Sequence, residues 1–165
     1  MPQNIQHMKS LVIYDSYFGN TEKIAISVST TLGQESQAIR VQDLKPENLI
    51  GVELLVVGSP TRSFRPTESI MKFLIDPAFD GFDGMKITAF DTRIELETIK
   101  SKFFRFVVDK GGYAAKFIVT KLVKKGGVLI AQPKGFLVTA ESGPLRVGEE
   151  EMASEWAKTL NEFKN

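Results

Sequence analysis

The sequence predicts one three-layer α/β domain on a five-stranded, mostly parallel sheet. Three observations predict it. Strand-like apolar runs alternate with segments of helical period from Ser10 to Phe163. The connections are short, and no repeat, low-complexity stretch or long linker divides the chain. The run Leu54–Val57 reads "LLVV" without alternation, as does a strand covered on both faces.

The elements follow in order. Leu11-Val12-Ile13 forms the centre of a first strand, Ser10–Tyr14, and "YDSYFGNT" leads from it into a helix. Ile24, Ala25, Val28 and Leu32 fall on one face of that helix, and Gly33 supplies its stop. A second strand spans Ala38–Val41, and Lys45–Gly51 has room for a turn or two of helix. Leu54–Val57 is the third strand. After Pro66, Ile70, Phe73 and Leu74 share a helical face until Asp76-Pro77 ends it. Lys86–Phe90 is the fourth strand. Tyr113–Lys125 places Ala114, Phe117, Ile118 and Leu122 on one face and closes with Gly126-Gly127. The fifth strand is Val128–Ala131. The last helix starts near Gly148 and is expected to bury Met152, Trp156, Leu160 and Phe163. The acidic residues at 149–151 suit its positive dipole end better than an acidic docking patch.

With 165 residues, 42% of them hydrophobic, the chain can bury a full core. A net charge of +1 argues against a nucleic-acid partner, which calls for a basic excess. The absence of cysteine excludes disulfides, thiolate catalysis, iron–sulfur clusters and cysteine-ligated zinc. His7 is the only histidine, and it lies in a polar tail, residues 1–8, ahead of the domain at 9–163. That position suits neither a metal site nor a Ser–His–Asp arrangement. The start lacks the order of a signal peptide, and no apolar run reaches membrane-spanning length, so a cytoplasmic location is expected.

In parallel sheets, ligands bind beyond the carboxyl ends of the strands, where the strand order reverses. Three loops leave those ends: 15–21, 58–66 and 91–109. The first gathers Ser16, Gly19, Asn20 and Thr21 at a helix start, a generic anion seat. It fits neither G-x-x-x-x-G-K-[ST] nor G-x-G-x-x-G, since Gly19 is its only glycine. The third strand ends in Gly58-Ser59, without the acids of a phosphotransfer receiver. A mononucleotide remains, its phosphate held by backbone amides, Ser16, Asn20 and Thr21.

"SYFGNTEKIA" resembles the FMN-phosphate loop of flavodoxins, [ST]-x-[TS]-G-N-T followed by a helix. "VVGSPTRSFRPT" resembles their second flavin loop. "AFDTR" is similar to their fourth strand and the start of its loop. "GFLVTAESGPLRVGEEEMASEWAKTL" is similar to the end of the fifth strand and the closing helix of a flavodoxin-like subfamily. The resemblance covers roughly residues 9–163 and implies a flavodoxin-like three-layer sandwich with strand order 2-1-3-4-5. It implies FMN as cofactor. Ser16, Tyr17, Phe18, Gly19, Asn20 and Thr21 would surround the phosphate. Ser59, Pro60, Thr61, Arg62, Ser63 and Phe64 would form the second loop, and Asp91, Thr92 and Arg93 the ring edge. Phe64 either lies against the flavin or packs on its own loop. Arg62 and Arg65 either offset negative charge on reduced flavin or are solvated.

The implied function is electron transfer to a redox partner protein. The alternatives are an NAD(P)H:quinone-type reductase acting on a small acceptor, and a scaffold that has lost flavin. A homodimer is also considered. The chain departs from the family pattern in three ways. Phe18 replaces a usual hydroxyl residue. No glycine lies between Ser59 and Pro66, where many flavodoxins turn a peptide over beside the half-reduced ring. The charge is near neutral rather than acidic. The stretch "IKSKFFRFVVDKGG" at 99–112 combines Phe103, Phe104 and Phe106 with Lys100, Lys102 and Arg105. It is a candidate flavin cover, partner surface or ordinary helical turn.

Overall fold

The central strands are buried on both faces, and successive side chains alternate between two core layers. The computed structural model describes residues 8–94 and 113–163. Its strands are β1 (Ser10–Tyr14), β2 (Ser36–Arg40), β3 (Leu54–Pro60), β4 (Lys86–Ile94), β5 (Val128–Leu129) and β6 (Lys134–Val138). The ladders between these strands are parallel, in the order β2-β1-β3-β4-β5 with β6 also beside β4. The chain builds outward from β1 to β2, then crosses to β3 on the other side. The reversal therefore falls between β1 and β3.

Leu11, Ile13, Leu55, Val57, Ile87 and Ala89 point to one face of the sheet. Helices α2 (Glu68–Ile75) and α3 (Ala114–Lys124) cover that face with Ile70, Phe73, Leu74, Ala115, Ile118 and Leu122. Val12, Tyr14, Leu54, Val56, Phe90 and Phe136 point to the other. There α1 (Asn20–Leu32) and α4 (Glu149–Asn161) supply Ile24, Val28, Leu32, Ala153, Ala157 and Leu160. Met8, which the sequence reading assigned to the tail, is buried in this second cluster. Two single turns of 3-10 helix, Val41–Asp43 and Pro46–Leu49, occupy the short connection before β3.

Three expectations change. The third and fourth strands continue through Gly58-Ser59-Pro60 and Asp91–Ile94, which read as loops because of their polarity. Ladder pairing of Ser59 with Asp91 and Pro60 with Thr92 keeps them in the sheet. The fifth strand position is split. β5 pairs with Lys86 and Ile87, and β6 resumes beside Phe90–Ile94. Pro133 lies in the break, where it has no N–H for the ladder. Ile130 still donates to the Ile87 carbonyl and Thr88 to that of Ala131, so the chain stays alongside β4.

The third change is the buried face of α4. Met152 and Phe163 are exposed, whereas Ala153, Ala157 and Leu160 are fully buried. Alanines let α4 lie close on α1, and Trp156 is half-buried, edge-on to Phe90 and Phe136 at 6.2 and 6.1 Å. Glu149, first residue of α4 and at its positive dipole end, is buried. It accepts from the Leu137 N–H at 2.9 Å and pairs with Arg146.

Candidate functional site

The first loop owes its shape to Gly19, whose φ of 89° lies in the left-handed region that glycine occupies without a Cβ clash. Its N–H donates to Ser16 Oγ at 3.0 Å, and its carbonyl accepts from Lys23 at 3.1 Å. The residue before α1 provides no side-chain cap, and among the described residues the helix's first-turn N–H groups have neither an intrahelical acceptor nor a side-chain one. The other helices on the opposite face differ. Thr67 caps α2, while Thr61 Oγ1 and Asp91 Oδ2 take the first N–H groups of α3.

Thr21 and Thr92 are buried and share a hydrogen bond of 2.8 Å between their hydroxyls. One hydroxyl donates, so the proton of the other is left for a third group. A shallow cleft with a cavity volume of about 50 Å³, open to solvent, lies beside this pair. It brings together Ser16, Tyr17, Phe18, Asn20, Thr21, Pro60, Thr61, Arg62, Thr92 and Arg93 of the expected set. Ile94, Val138 and Glu141 also line it.

Five expected residues do not line the cleft. Gly19 contributes backbone geometry only. Ser59 is fully buried, accepting from the Thr67 N–H and donating to the Pro60 carbonyl, so it braces the second loop from behind. Ser63 and Phe64 sit at the tip of a tight turn in which Arg62 and Arg65 exchange both backbone hydrogen bonds, at 2.8 and 2.9 Å. Both tip residues have positive φ, 48° and 70°. The loop thus adopts left-handed backbone without glycine, at a cost of about 1–3 kcal/mol per residue. Among the described residues, the aromatic side chains lining the cleft are Tyr17 and Phe18, each about half exposed, and Phe64 is not among them.

Asp91 is the fifth. It lies in β4 with no exposure and receives Arg93 Nε and Nη2 at 2.6 and 2.8 Å and the Ala115 N–H at 2.9 Å. Burial pushes its carboxyl above the ordinary range, while Arg93 and the Ala115 N–H pull it back. Arg93 in turn stacks 3.5 Å from the Tyr113 ring centroid and crosses Gly135, where a Cβ would fall 2.2 Å from the guanidinium carbon. Arg62 lies over Tyr17 and Phe18 at 5.3 and 5.9 Å and pairs with Glu141 at 3.1 Å. Arg65 is exposed at the turn.

The sequence reading missed the fourth wall. Asn20 Nδ2 donates to the Ser142 carbonyl at 3.2 Å, tying the segment after β6 to the start of α1. The rule that loops leaving the carboxyl edge converge applies equally to that segment and would have found Glu141. Residues 95–112, with Lys100, Lys102, Phe103, Phe104, Arg105 and Phe106, lie outside the described residues, as does His7.

The donors and walls fit a mononucleotide. Uncapped N–H groups and a hydroxyl pair suit a phosphate, the aromatic faces of Tyr17 and Phe18 suit a planar ring, and Glu141, the carboxylate on the wall, is engaged by Arg62. No family model and no curated sequence matches the chain. Solved structures do. The chain is similar to oxidised flavodoxin 2 from Bacillus cereus, with 20% identity, TM-score 0.71, and 93% of this chain and 98% of that one covered. It is similar to a flavodoxin from the domain Archaea, with 20% identity, TM-score 0.70, and 94% and 97% covered. It is also similar to part of the rubredoxin oxygen:oxidoreductase of Desulfovibrio gigas, with 18% identity, TM-score 0.66, and 93% of this chain but 35% of that one covered. The fold is flavodoxin-like. No described helix is long and apolar enough to cross a membrane.

Proposed function

We propose that the domain at 9–163 binds FMN and transfers electrons to a redox partner protein. One observation carries this reading. At the strand reversal, the uncapped start of α1 and the Thr21–Thr92 hydroxyl pair meet the aromatic faces of Tyr17 and Phe18 in a single cleft. FMN, when bound, supplies one- and two-electron chemistry. The phosphate belongs at Ser16, Asn20, Thr21 and the first-turn N–H groups. The ring belongs between the first and second loops, where Tyr17 and Phe18 exclude water. Arg62 and Arg93 place guanidinium groups on the same wall, each paired with a carboxylate, so they offer donors without a free excess of positive charge.

Titration of the apo-protein with FMN should quench flavin fluorescence. No quenching at tens of micromolar, a binding energy of about −6 kcal/mol, would remove the main support for the reading. The rival, a reductase using the same FMN on a small acceptor such as a quinone, predicts steady-state NAD(P)H oxidation that the acceptor accelerates. A carrier shows none without its partner.

A further inference from the structure

Beneath the first loop lies a charged cluster that does not line the cleft. Asp15, the residue after β1, is buried. Its Oδ1 accepts from the Ser16 N–H at 2.9 Å and from Gln42 at 3.2 Å, while Oδ2 has no hydrogen-bond partner among the described residues. A carboxylate at that depth, one residue from an anion seat, repels the anion. Arg40, the last residue of β2, answers it from 3.7 Å. The same guanidinium donates from Nη1 to the Ser16 carbonyl at 2.9 Å and from Nη2 to Glu22 at 2.9 Å. Glu22 also accepts from Tyr14, whose phenol burial, then Glu22 itself, push above its ordinary range, so the hydroxyl stays a donor.

We propose that Arg40 is a positioning residue for the phosphate: it holds the Ser16 carbonyl toward β2 and offsets the Asp15 charge, without touching the anion. Each contact bears on the seat. A peptide whose carbonyl is held on one side keeps its neighbours' N–H groups in a fixed arrangement, and preorganised donors bind anions without further ordering cost. Loss of Arg40 would leave Asp15 and Glu22, still hydrogen-bonded by neutral donors, without its countercharge beside the seat. The proposal rests on the FMN reading above, and its test separates the two.

The test compares FMN with riboflavin, which has the same ring system but no phosphate, on the flavin-free full chain. The wild type should prefer FMN. Arg40→Met should shrink that preference by about tenfold, the scale of a lost charge-assisted interaction, while the riboflavin Kd stays within about twofold. Arg40→Lys, which keeps the charge but not both hydrogen bonds, should fall between. Asp15→Asn combined with Arg40→Met should regain part of the preference, because the repulsion is gone. A merely structural role would weaken both flavins together and leave their ratio unmoved, which would overturn the proposal. Thermal melting in inorganic phosphate supplies an arm independent of flavin. Stabilisation of the wild type that Arg40→Met abolishes supports the clamp even if FMN fails to bind, in which case the FMN reading alone falls. Equal phosphate stabilisation, or none in either protein, overturns the clamp.

Discussion

Thr21 illustrates how much one hydroxyl can decide. It is 1% exposed, and its only side-chain partner among the described residues is Thr92. Valine would keep the shape but leave Thr92 without that partner and the phosphate without the spare proton of the pair. Thr21→Val should therefore weaken FMN by about 1–3 kcal/mol, measured by calorimetric titration. An unchanged affinity would take the pair out of the phosphate site. Asp91 gives a prediction of a different kind. Its carboxyl is raised in the native state above an unfolded value of about 3.9, so the native state binds more protons between those two values. Stability then falls as pH rises through that window and levels off above it. Denaturant unfolding of the wild type relative to Asp91→Asn should trace this fall upward from about pH 4. A rising difference over the same range would show that Arg93 and the Ala115 N–H outweigh burial.

Among the elements, β3 and β4 are held so close at the site that one glycine is required for space. A Cβ at Gly58 would fall 2.1 Å from the ring of Phe90, which is itself fully buried against Phe136 at 6.0 Å. Gly58→Ala must displace that ring. The expected loss is about 1–3 kcal/mol in urea unfolding, as for overpacked cores. A neutral result would mean that the aromatic group formed by Phe90, Phe136 and Trp156 has slack. The second loop has its own internal economy, with Thr67 closing α2 while its N–H rests on Ser59. These bonds face away from the cleft and leave Thr61 and Arg62 to form its wall.

For the whole molecule, ligand and fold are linked by mass action. A ligand that binds only the native state at a hundred times its Kd adds about 2.7 kcal/mol of stability. At roughly 2–4 °C per kcal/mol for a chain of this size, saturating FMN should raise Tm by about 5–10 °C. Scanning calorimetry with and without FMN measures it, and an unmoved Tm at saturation would contradict native-state binding. With a net charge of +1, the chain has little overall field with which to steer a distant partner. On the proposed electron-transfer reading, recognition of a partner would depend on local groups at the rim of the cleft, among them Glu141, Arg62 and the half-exposed Tyr17 and Phe18.

Period and punctuation by themselves determined the layers, the element order and the edge that carries the site. An unalternating LLVV, short and flanked by polar turns, reads as a strand covered twice, and Gly19 before Asn20-Thr21 and a helical period reads as a helix start with its N–H groups exposed. These are local facts, set by backbone sterics and by the repeat of side chains along one element. Tertiary structure decided whatever depends on a distant neighbour. The polarity of Asp91 concealed a strand because its partners, Arg93 and the start of α3, answer the charge in the interior. The apolar stripe of α4 lay one residue from where its large side chains suggest, because close approach to α1 favours alanine. Asp15 and Arg40 stand 25 positions apart in sequence, and only the pairing of β1 with β2 brings their charges together beneath the loop.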